Sequence, residues 1–299
     1  MKRNSLLIVI ATAVGLGVLF VIILSIATFL SGGRRTSSPL AVGGRGNVAL
    51  VKIEGLLVTS ENVVEELADY AEDGTIKAIV LRIDSPGGGV VASQEIYNAV
   101  KNAKKEGKKI VVSMGSVAAS GGYYIAAAAD KIVANPGTMT GSIGVKMEFA
   151  NVEKLLEKIG VKGMVVKSGE YKDIGSPFRN MTDQEQKLLQ GVIDDVHSQF
   201  IEAVSEGRRL PVADVTAIAD GRIFTGRQAL SLKLVDQMGD LKDSIRIAGT
   251  LAGIRGKPKV VEKKKKIPFL DYLKEETASW IGDIIARGIN RSTVTLQYR

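Results

Sequence analysis

The chain has 299 residues, 45 % of them hydrophobic, and a formal net charge of +8. This length is enough to bury a sizeable core. With no cysteine and a single histidine, the sequence excludes disulfides and thiolate metal sites, and carboxylates remain the only plausible metal ligands, so we expect neither a metal nor a cofactor. Because basic residues are not interleaved with aromatic ones, nucleic acid is not an expected partner.

An uncharged apolar segment occupies residues 5–31, after a short basic N-terminus at 1–4. The segment exceeds the ~20 residues that a bilayer-spanning helix needs. A cleaved signal peptide is the alternative, because Ser25 and Ala27 form a small-x-small site, although such h-regions usually have only ~7–15 residues. The sequence therefore predicts an uncleaved transmembrane anchor. Basic residues flank it on both sides, so charge does not decide its orientation.

A flexible linker is predicted for residues 32–46, which are rich in glycine, serine and arginine. After it, apolar strand patterns alternate with helical ones, which indicates an α/β domain with largely parallel strands. The predicted strands are 48–55, 77–84, 109–114, 131–136, 141–145 and 163–168, and the predicted helices are 61–71, 91–105, 149–159 and a long one from Thr182. A loop is predicted at 168–177.

One small-residue stretch is a candidate catalytic segment. Residues 111–129 read VVSMGSVAASGGYYIAAAA, which predicts a strand, a tight turn at Ser120 and a helix start. A serine at that place presents its hydroxyl near unpaired helix N–H groups, where negative charge is stabilised. The alternative is a packing turn in which Ser120 only caps the helix.

A second glycine-rich stretch follows the strand at 77–84. The run Ser85-Pro86-Gly87-Gly88-Gly89 cannot continue a central strand or form a helix, so it must be an open loop. Such a loop can aim its N–H groups at a substrate carbonyl, as an oxyanion hole requires. Phosphate binding is the alternative, but neither GxGxxG nor GxxxxGK[ST] is present.

Four motifs in order resemble a known family. They read DSPGGG, ASGGYYIA, GSIGV and GEYKDIGSP, and they are similar to the short form of the signal peptide peptidase SppA family, in the ClpP/crotonase superfamily. The likeness runs from about residue 47 to 253. It implies a ClpP/crotonase-like domain of repeated β-β-α units at 47–255. It also implies that Ser120 is the nucleophile, Lys172 the general base, and Gly87, Gly88 and Gly121 the oxyanion hole.

The resemblance also implies a biological setting. It suggests a membrane-anchored serine endopeptidase, with its catalytic domain on the extracytoplasmic side of the cell membrane, that degrades cleaved signal peptides and other hydrophobic peptides. In the duplicated relatives, the matching serine and lysine lie in different halves of one chain. This chain carries one copy of each motif, so we expect a homo-oligomer with sites at the subunit interfaces.

Other residues compete for the catalytic roles. A lysine acts as a base only when neutral, which burial favours. The rival bases are Lys146, Lys167 and His197, and the histidine lies in the predicted long helix away from both glycine stretches. The rival nucleophiles are Ser113, Ser116 and Ser142, none of which precedes a Gly-Gly helix start. Asp84 is expected to be structural, accepting backbone N–H bonds in the turn.

Two questions stay open at the level of sequence. The basic tail at 256–299 contains an amphipathic pattern that could lie on lipid, fill a subunit interface or pack on its own domain. Two other functions also fit parts of the pattern: acyl-CoA chemistry on the crotonase fold, which leaves Ser120 and Lys172 without roles, and a non-catalytic membrane scaffold.

Overall fold

The computed structural model describes residues 46–263. The predicted anchor at 5–31 and most of the basic tail at 256–299 lie outside these residues. Within 46–263, no helix is both long enough and apolar enough to cross a bilayer.

Strands and short helices alternate along the described part of the chain. The strands are β1 Val48–Glu54, β2 Ala78–Ser85, β3 Lys109–Ala119, β4 Lys131–Ala134, β5 Met139–Gly141, β6 Ile223–Thr225, β7 Gln237–Met238 and β8 Val260–Val261. The helices are α1 Glu61–Glu72, α2 Val90–Lys105, α3 Gly121–Ala127, α4 Glu153–Lys158, α5 Asp183–Arg208, α6 Val212–Thr216, α7 Gly226–Ser231 and α8 Leu241–Leu251.

The strands form one mostly parallel sheet in the order β6-β5-β3-β2-β1-β8, with β4 pairing both β3 and β7. Only the β5–β6 pair is antiparallel among the described pairs. The α/β class with largely parallel strands is therefore confirmed. Single strands alternate with single helices from β1 to β4, and the expected β-β-α unit occurs at β4, β5 and α4.

Both faces of the sheet are buried. Ala49, Val51 and Ile53 of β1 join a large cluster with side chains of α1, α2, α3 and α5. Val48 and Leu50 point the other way and join a smaller cluster that α8 covers. A strand covered on both sides must be apolar at nearly every position, and this explains the continuous hydrophobic runs in the sequence.

Strand β3 is longer than predicted because it changes partners along its length. Its residues 111–113 pair with β4, and its residues 117–119 pair with β5. Between these two parts the register against β2 slips, since Ile83 lies opposite Met114 whereas Ser85 lies opposite Ala118. This bulge redirects the end of β3 toward the turn at Ser120.

Asp84 occupies the bulge. Its Oδ1 accepts a hydrogen bond from the N–H of Val117 at 3.0 Å. Its carboxyl group also packs on Gly115, where a Cβ atom would lie 2.5 Å from Asp84 Cγ. Asp84 thus binds the backbone that the slipped register leaves unpaired, which is the structural role expected for it.

The long helix α5 begins as predicted but is buried over only part of its length. Thr182 caps it, and Glu185 completes the capping box. Phe200 and Val204, near its C-terminal end, are buried, whereas Leu189 near its N-terminal end is only half-buried. The helix therefore packs on the domain by its C-terminal half and projects by its N-terminal half.

Residues 144–182, called the arm below, differ most from the sequence prediction. The strand expected at 163–168 is not formed, only Gly141 of the one expected at 141–145 lies in a strand, and the helix expected at 149–159 is reduced to α4. Exposed apolar side chains, including Met164 and Val166, stand along the arm. An apolar alternating pattern becomes a strand only where a neighbouring strand completes its hydrogen bonds, and within the described residues the arm has none.

Candidate active site

Ser120 has a strained backbone. It lies between β3 and α3 with φ 52° and ψ −121°, a left-handed conformation that is unfavourable for a residue with a Cβ atom. Two hydrogen bonds hold it there: its N–H donates to the carbonyl of Gly141 at 2.9 Å, and its own carbonyl accepts from the N–H of Tyr124 at 2.8 Å. The side chain is half-buried, and its hydroxyl has no hydrogen-bond partner among residues 46–263. The turn therefore presents a free hydroxyl.

Gly87 lies directly against this turn. A Cβ atom at Gly87 would be 2.6 Å from the nitrogen of Gly121 and 2.8 Å from Cβ of Ser120, and its φ is +98°. Both the contact and the backbone angle require glycine. The structure therefore brings together the two glycine stretches that the sequence singled out.

The glycine loop is anchored from one side by the segment after β1. Leu57 donates its N–H to the carbonyl of Gly87 at 2.9 Å and accepts the N–H of Gly89 at 2.7 Å. Ser85 Oγ accepts the N–H of Gly87 at 3.1 Å and donates to the carbonyl of Gly55 at 2.6 Å. These bonds hold the loop in place, and none of them involves Ser120.

The predicted oxyanion donors are not equivalent. The N–H of Gly87 is already bonded to Ser85 Oγ. In the part of the chain that the structure describes, the N–H groups of Gly88 and Gly121 have no such partner. Gly121 is the first residue of α3, where backbone N–H groups lack intrahelical acceptors. Two of the three predicted donors are therefore available to a substrate oxygen.

Lys172 lies on the arm, and no hydrogen bond or ion pair joins it to this cluster. Its backbone N–H donates to the carbonyl of Gly169 at 3.2 Å, in a turn, and its side chain is exposed. No hydrogen bond or ion pair joins its Nζ to Ser120 or to any other residue between 46 and 263. The structure thus groups Gly87, Gly88, Ser120 and Gly121, and it places the fifth predicted residue elsewhere on the same chain.

Ion pairs surround the turn that carries Lys172. Arg179 and Lys167 both donate hydrogen bonds to Asp173, and they hold the pKa of that carboxyl well below its usual range. Hydrogen bonds from Arg179 and from the backbone of Thr182 lower the pKa of Glu185 to about 2. Sequence reasoning missed this network. The capping box at Thr182 and Glu185 was its only visible trace.

The rival bases have other partners or surroundings. Lys146 is exposed and forms an ion pair with Glu148, and Lys167 is paired with Asp173. His197 lies in the long helix α5, as predicted, and is half-buried there. Its Nε2 is buried and has no hydrogen-bond partner within the described residues.

The rival nucleophiles differ in their exposure. Ser113 is buried, and its hydroxyl accepts a hydrogen bond from Arg82 at 3.0 Å. Ser116 is exposed in the β3 bulge. Ser142 has a left-handed φ of 51° and donates its N–H to the carbonyl of Arg222. None of the three begins a helix, as Ser120 does.

Two family models match the chain. The model of Peptidase family S49 matches residues 102–255, a stretch that contains both Ser120 and Lys172. The chain belongs to peptidase family S49. A second model, Clp protease, matches residues 57–140 of this S49 peptidase and covers the glycine loop and the serine turn. The fold is thus a ClpP-like α/β fold.

Individual relatives are proteases by name. A protein of Synechocystis sp., provisionally named a protease, is 46% identical over 217 residues, which cover 72% of this chain and 78% of that protein. One from Enterococcus faecium, provisionally named signal peptide peptidase SppA, is 35% identical over 78% of this chain and 66% of its own length. The chloroplastic serine protease SPPA of Arabidopsis thaliana is 35% identical over 89% of this chain but only 38% of its own length. The S49 peptidase is accordingly a serine protease.

Proposed function

We propose that this S49 peptidase is a membrane-anchored endopeptidase in which Ser120 and Lys172 form a catalytic dyad. The observation that carries the proposal is the strained backbone of Ser120 at the start of α3, directly beneath Gly87. Strain of this kind persists where the surrounding structure enforces it, and it concentrates at catalytic residues. A helix cap without a catalytic role would not need it.

The proposed chemistry follows from the site. Ser120 Oγ attacks the carbonyl carbon of the scissile bond while Lys172 Nζ takes its proton, and the lysine then protonates the departing amine. Water hydrolyses the resulting ester on Ser120. The N–H groups of Gly88 and Gly121 stabilise the oxyanion in both steps, because they are the unpaired donors of the cluster.

Hydrophobic peptides are the proposed substrates. Leu56 and Val58 flank the residue that anchors the glycine loop, and both side chains are largely exposed. Val91, just after the loop, is also exposed. Exposed apolar residues beside the glycine loop of the proposed site favour apolar substrates in extended form. Signal-peptide remnants are such substrates, and the name of the Enterococcus relative agrees.

A shared active site is part of the proposal. Lys172 projects from the arm, whose exposed apolar residues include Phe149, Met164 and Val166. Apolar surface of this extent is typical of interfaces. We infer that the arm reaches a neighbouring subunit and supplies Lys172 to its Ser120. The anchor at 5–31 holds this homo-oligomer at the membrane, with the catalytic domain on the extracytoplasmic side.

Mixing two inactive variants tests the shared site. Ser120→Ala and Lys172→Ala chains are unfolded together, refolded at a one-to-one ratio and assayed with an apolar peptide. In a ring with random neighbours, a site is complete when an intact serine meets an intact lysine, so about a quarter of wild-type activity is expected. Each variant alone is inactive.

Inactive mixtures would contradict the shared site, provided that native mass spectrometry shows mixed oligomers. Each chain would then hold its own complete dyad. Full activity of the Lys172→Ala chain by itself would instead show that Lys172 is not the base. Full activity of the Ser120→Ala chain would show that Ser120 is not the nucleophile.

A further inference from the structure

We propose that Arg179 is a positioning residue that fixes the turn carrying Lys172 to the first turn of α5. The proposal rests on the role of Lys172 as the base. The side chain of Lys172 makes no hydrogen bond or ion pair within residues 46–263, so its own contacts do not place it. Its location is therefore set by the backbone on either side, and both sides are tied to α5.

The residue after Lys172 is tied through Arg179. Both carboxylate oxygens of Asp173 accept hydrogen bonds from this guanidinium, with Nε at 2.9 Å from Oδ2 and Nη2 at 2.8 Å from Oδ1. The other edge of the same guanidinium bonds both carboxylate oxygens of Glu185, with Nη1 at 2.8 Å from Oε2. Asp173 and Glu185 are therefore joined by one planar group, and two rigid forks fix direction as well as distance.

The anchor at the far end of this link is buried. The side chain of Glu185 is 4% exposed, and that of Asp173 is 13% exposed. Glu185 also accepts the N–H of Thr182 at 2.9 Å, so it is part of the capping box of α5. A link that ends on a buried helix cap transmits the position of the helix to the turn.

The residue before Lys172 has its own tie to the same helix. Gln184 Nε2 donates to the hydroxyl of Tyr171 at 2.6 Å. Gln184 and Glu185 are consecutive in the first turn of α5. The residues on both sides of Lys172 are thus attached to one helical turn, and the lysine projects from between two fixed points.

The same helix is packed against the serine helix at its other end. Phe200 of α5 contacts Tyr124 of α3, with ring centroids 5.0 Å apart. Gly207 lies so close to α3 that a Cβ atom there would be 2.0 Å from the carbonyl oxygen of Ala127. Helix α5 therefore connects the helix that begins at Ser120 with the turn that presents Lys172, and Arg179 makes that connection rigid at the lysine end.

The test is a conservative substitution of Arg179, whose bonds to Asp173 and Glu185 are called the clamp below. Arg179→Lys keeps the charge but removes the fork that joins Asp173 to Glu185. We expect kcat to fall by about 10- to 100-fold, because a misplacement of about 1 Å can cost that much, while KM changes less than about twofold. Arg246→Lys is the matched control, since Arg246 forms an exposed ion pair with Asp243 on α8, and it should leave both constants unchanged.

A second measurement separates positioning from a general structural role. Arg179→Lys is introduced into the Lys172→Ala chain, and residual hydrolysis of an activated ester is followed. A residue that acts only through Lys172 has nothing left to act on, so the double variant should match Lys172→Ala. A further loss in the double variant, or an unchanged kcat in Arg179→Lys alone, would overturn the proposal.

The outcomes also distinguish this proposal from the dyad itself. If Lys172→Ala is inactive on peptides and Arg179→Lys is fully active, the dyad stands and only the clamp is wrong. If Lys172→Ala keeps its activity, both are wrong. Should Arg179→Lys fail to fold, Asp173→Asn replaces it: this variant keeps the shape of the side chain but weakens its bonds to Arg179. The proposal requires it to lower kcat severalfold with KM unchanged.

Discussion

At the scale of single residues, the sequence predicts where Ser120 lies but not the shape of its backbone. The Gly-Gly pair after it signals a tight turn before a helix. Its left-handed φ arises from contacts that are distant in sequence, namely the bond to Gly141 and the close approach of Gly87. No local pattern reports such contacts.

This strain leads to a prediction about stability. Ser120→Gly should raise the free energy of unfolding by about 1 kcal/mol relative to Ser120→Ala, because glycine adopts this conformation without a steric penalty. Both variants should be inactive, and urea denaturation of the two purified chains gives the comparison. Equal stability of the two variants would show that the backbone of Ser120 is not strained.

The proposed oxyanion donors also depend on contacts that the sequence does not reveal. The sequence predicts Gly87, Gly88 and Gly121 as donors, but in the structure the N–H of Gly87 is bonded to the hydroxyl of Ser85. A side chain two residues away competes for that donor. The outcome depends on the loop's curvature, which only the folded backbone defines.

At the scale of elements, prediction succeeds where each segment carries its own signal. The strands β1 and β2 are mostly apolar and buried, and α5 begins with a capping box. The prediction fails for the arm, because its apolar pattern forms a strand only beside a partner strand, and the sequence of the arm does not specify that partner. The sequence also does not predict where β3 ends. That end depends on the bulge around Asp84, which rests on the contact of Asp84 with Gly115.

Two glycines of the same loop, Gly87 and Gly89, provide a test variant and its control. Gly87→Ala should destabilise the protein by about 2 kcal/mol or more and abolish activity, since the new Cβ would collide with the backbone of Gly121 at a positive φ. Gly89→Ala should be tolerated, because its Cβ would lie 3.4 Å from the nearest atom, the carbonyl oxygen of Leu57. Thermal unfolding and peptide cleavage of the two variants are compared. Equal effects would mean that the loop does not press on the serine turn.

At the scale of the whole molecule, the arm carries the two most exposed large apolar side chains among residues 46–263. Val166 is 99% exposed, and Met164 is 91% exposed. The large apolar side chains of the central strands are by contrast buried, on both faces of the sheet. This contrast supports the proposal that the arm contacts a neighbouring subunit.

Charging the arm should separate the subunits. Val166→Asp is expected to yield smaller particles in light scattering and to lose activity, because a carboxylate is costly to bury in an apolar interface. Its unfolding temperature as a monomer should not change, since the side chain is already solvated. Leu251→Asp, on an exposed position at the end of α8, is the control and should keep both size and activity. A Val166→Asp chain of unchanged size and activity would place the interface elsewhere.

The location of Lys172 on the arm has a consequence for when the proposed peptidase becomes active. Under the proposed shared site, a newly made chain would gain activity only when a neighbouring subunit completes its dyad, so assembly itself would be the activating step. Specific activity should then fall steeply on dilution and recover on concentration, with a reaction order above one in enzyme. Proteolysis would be switched on by crowding of the chains in one place, and subunit dissociation would reverse it, whereas removal of a propeptide is permanent.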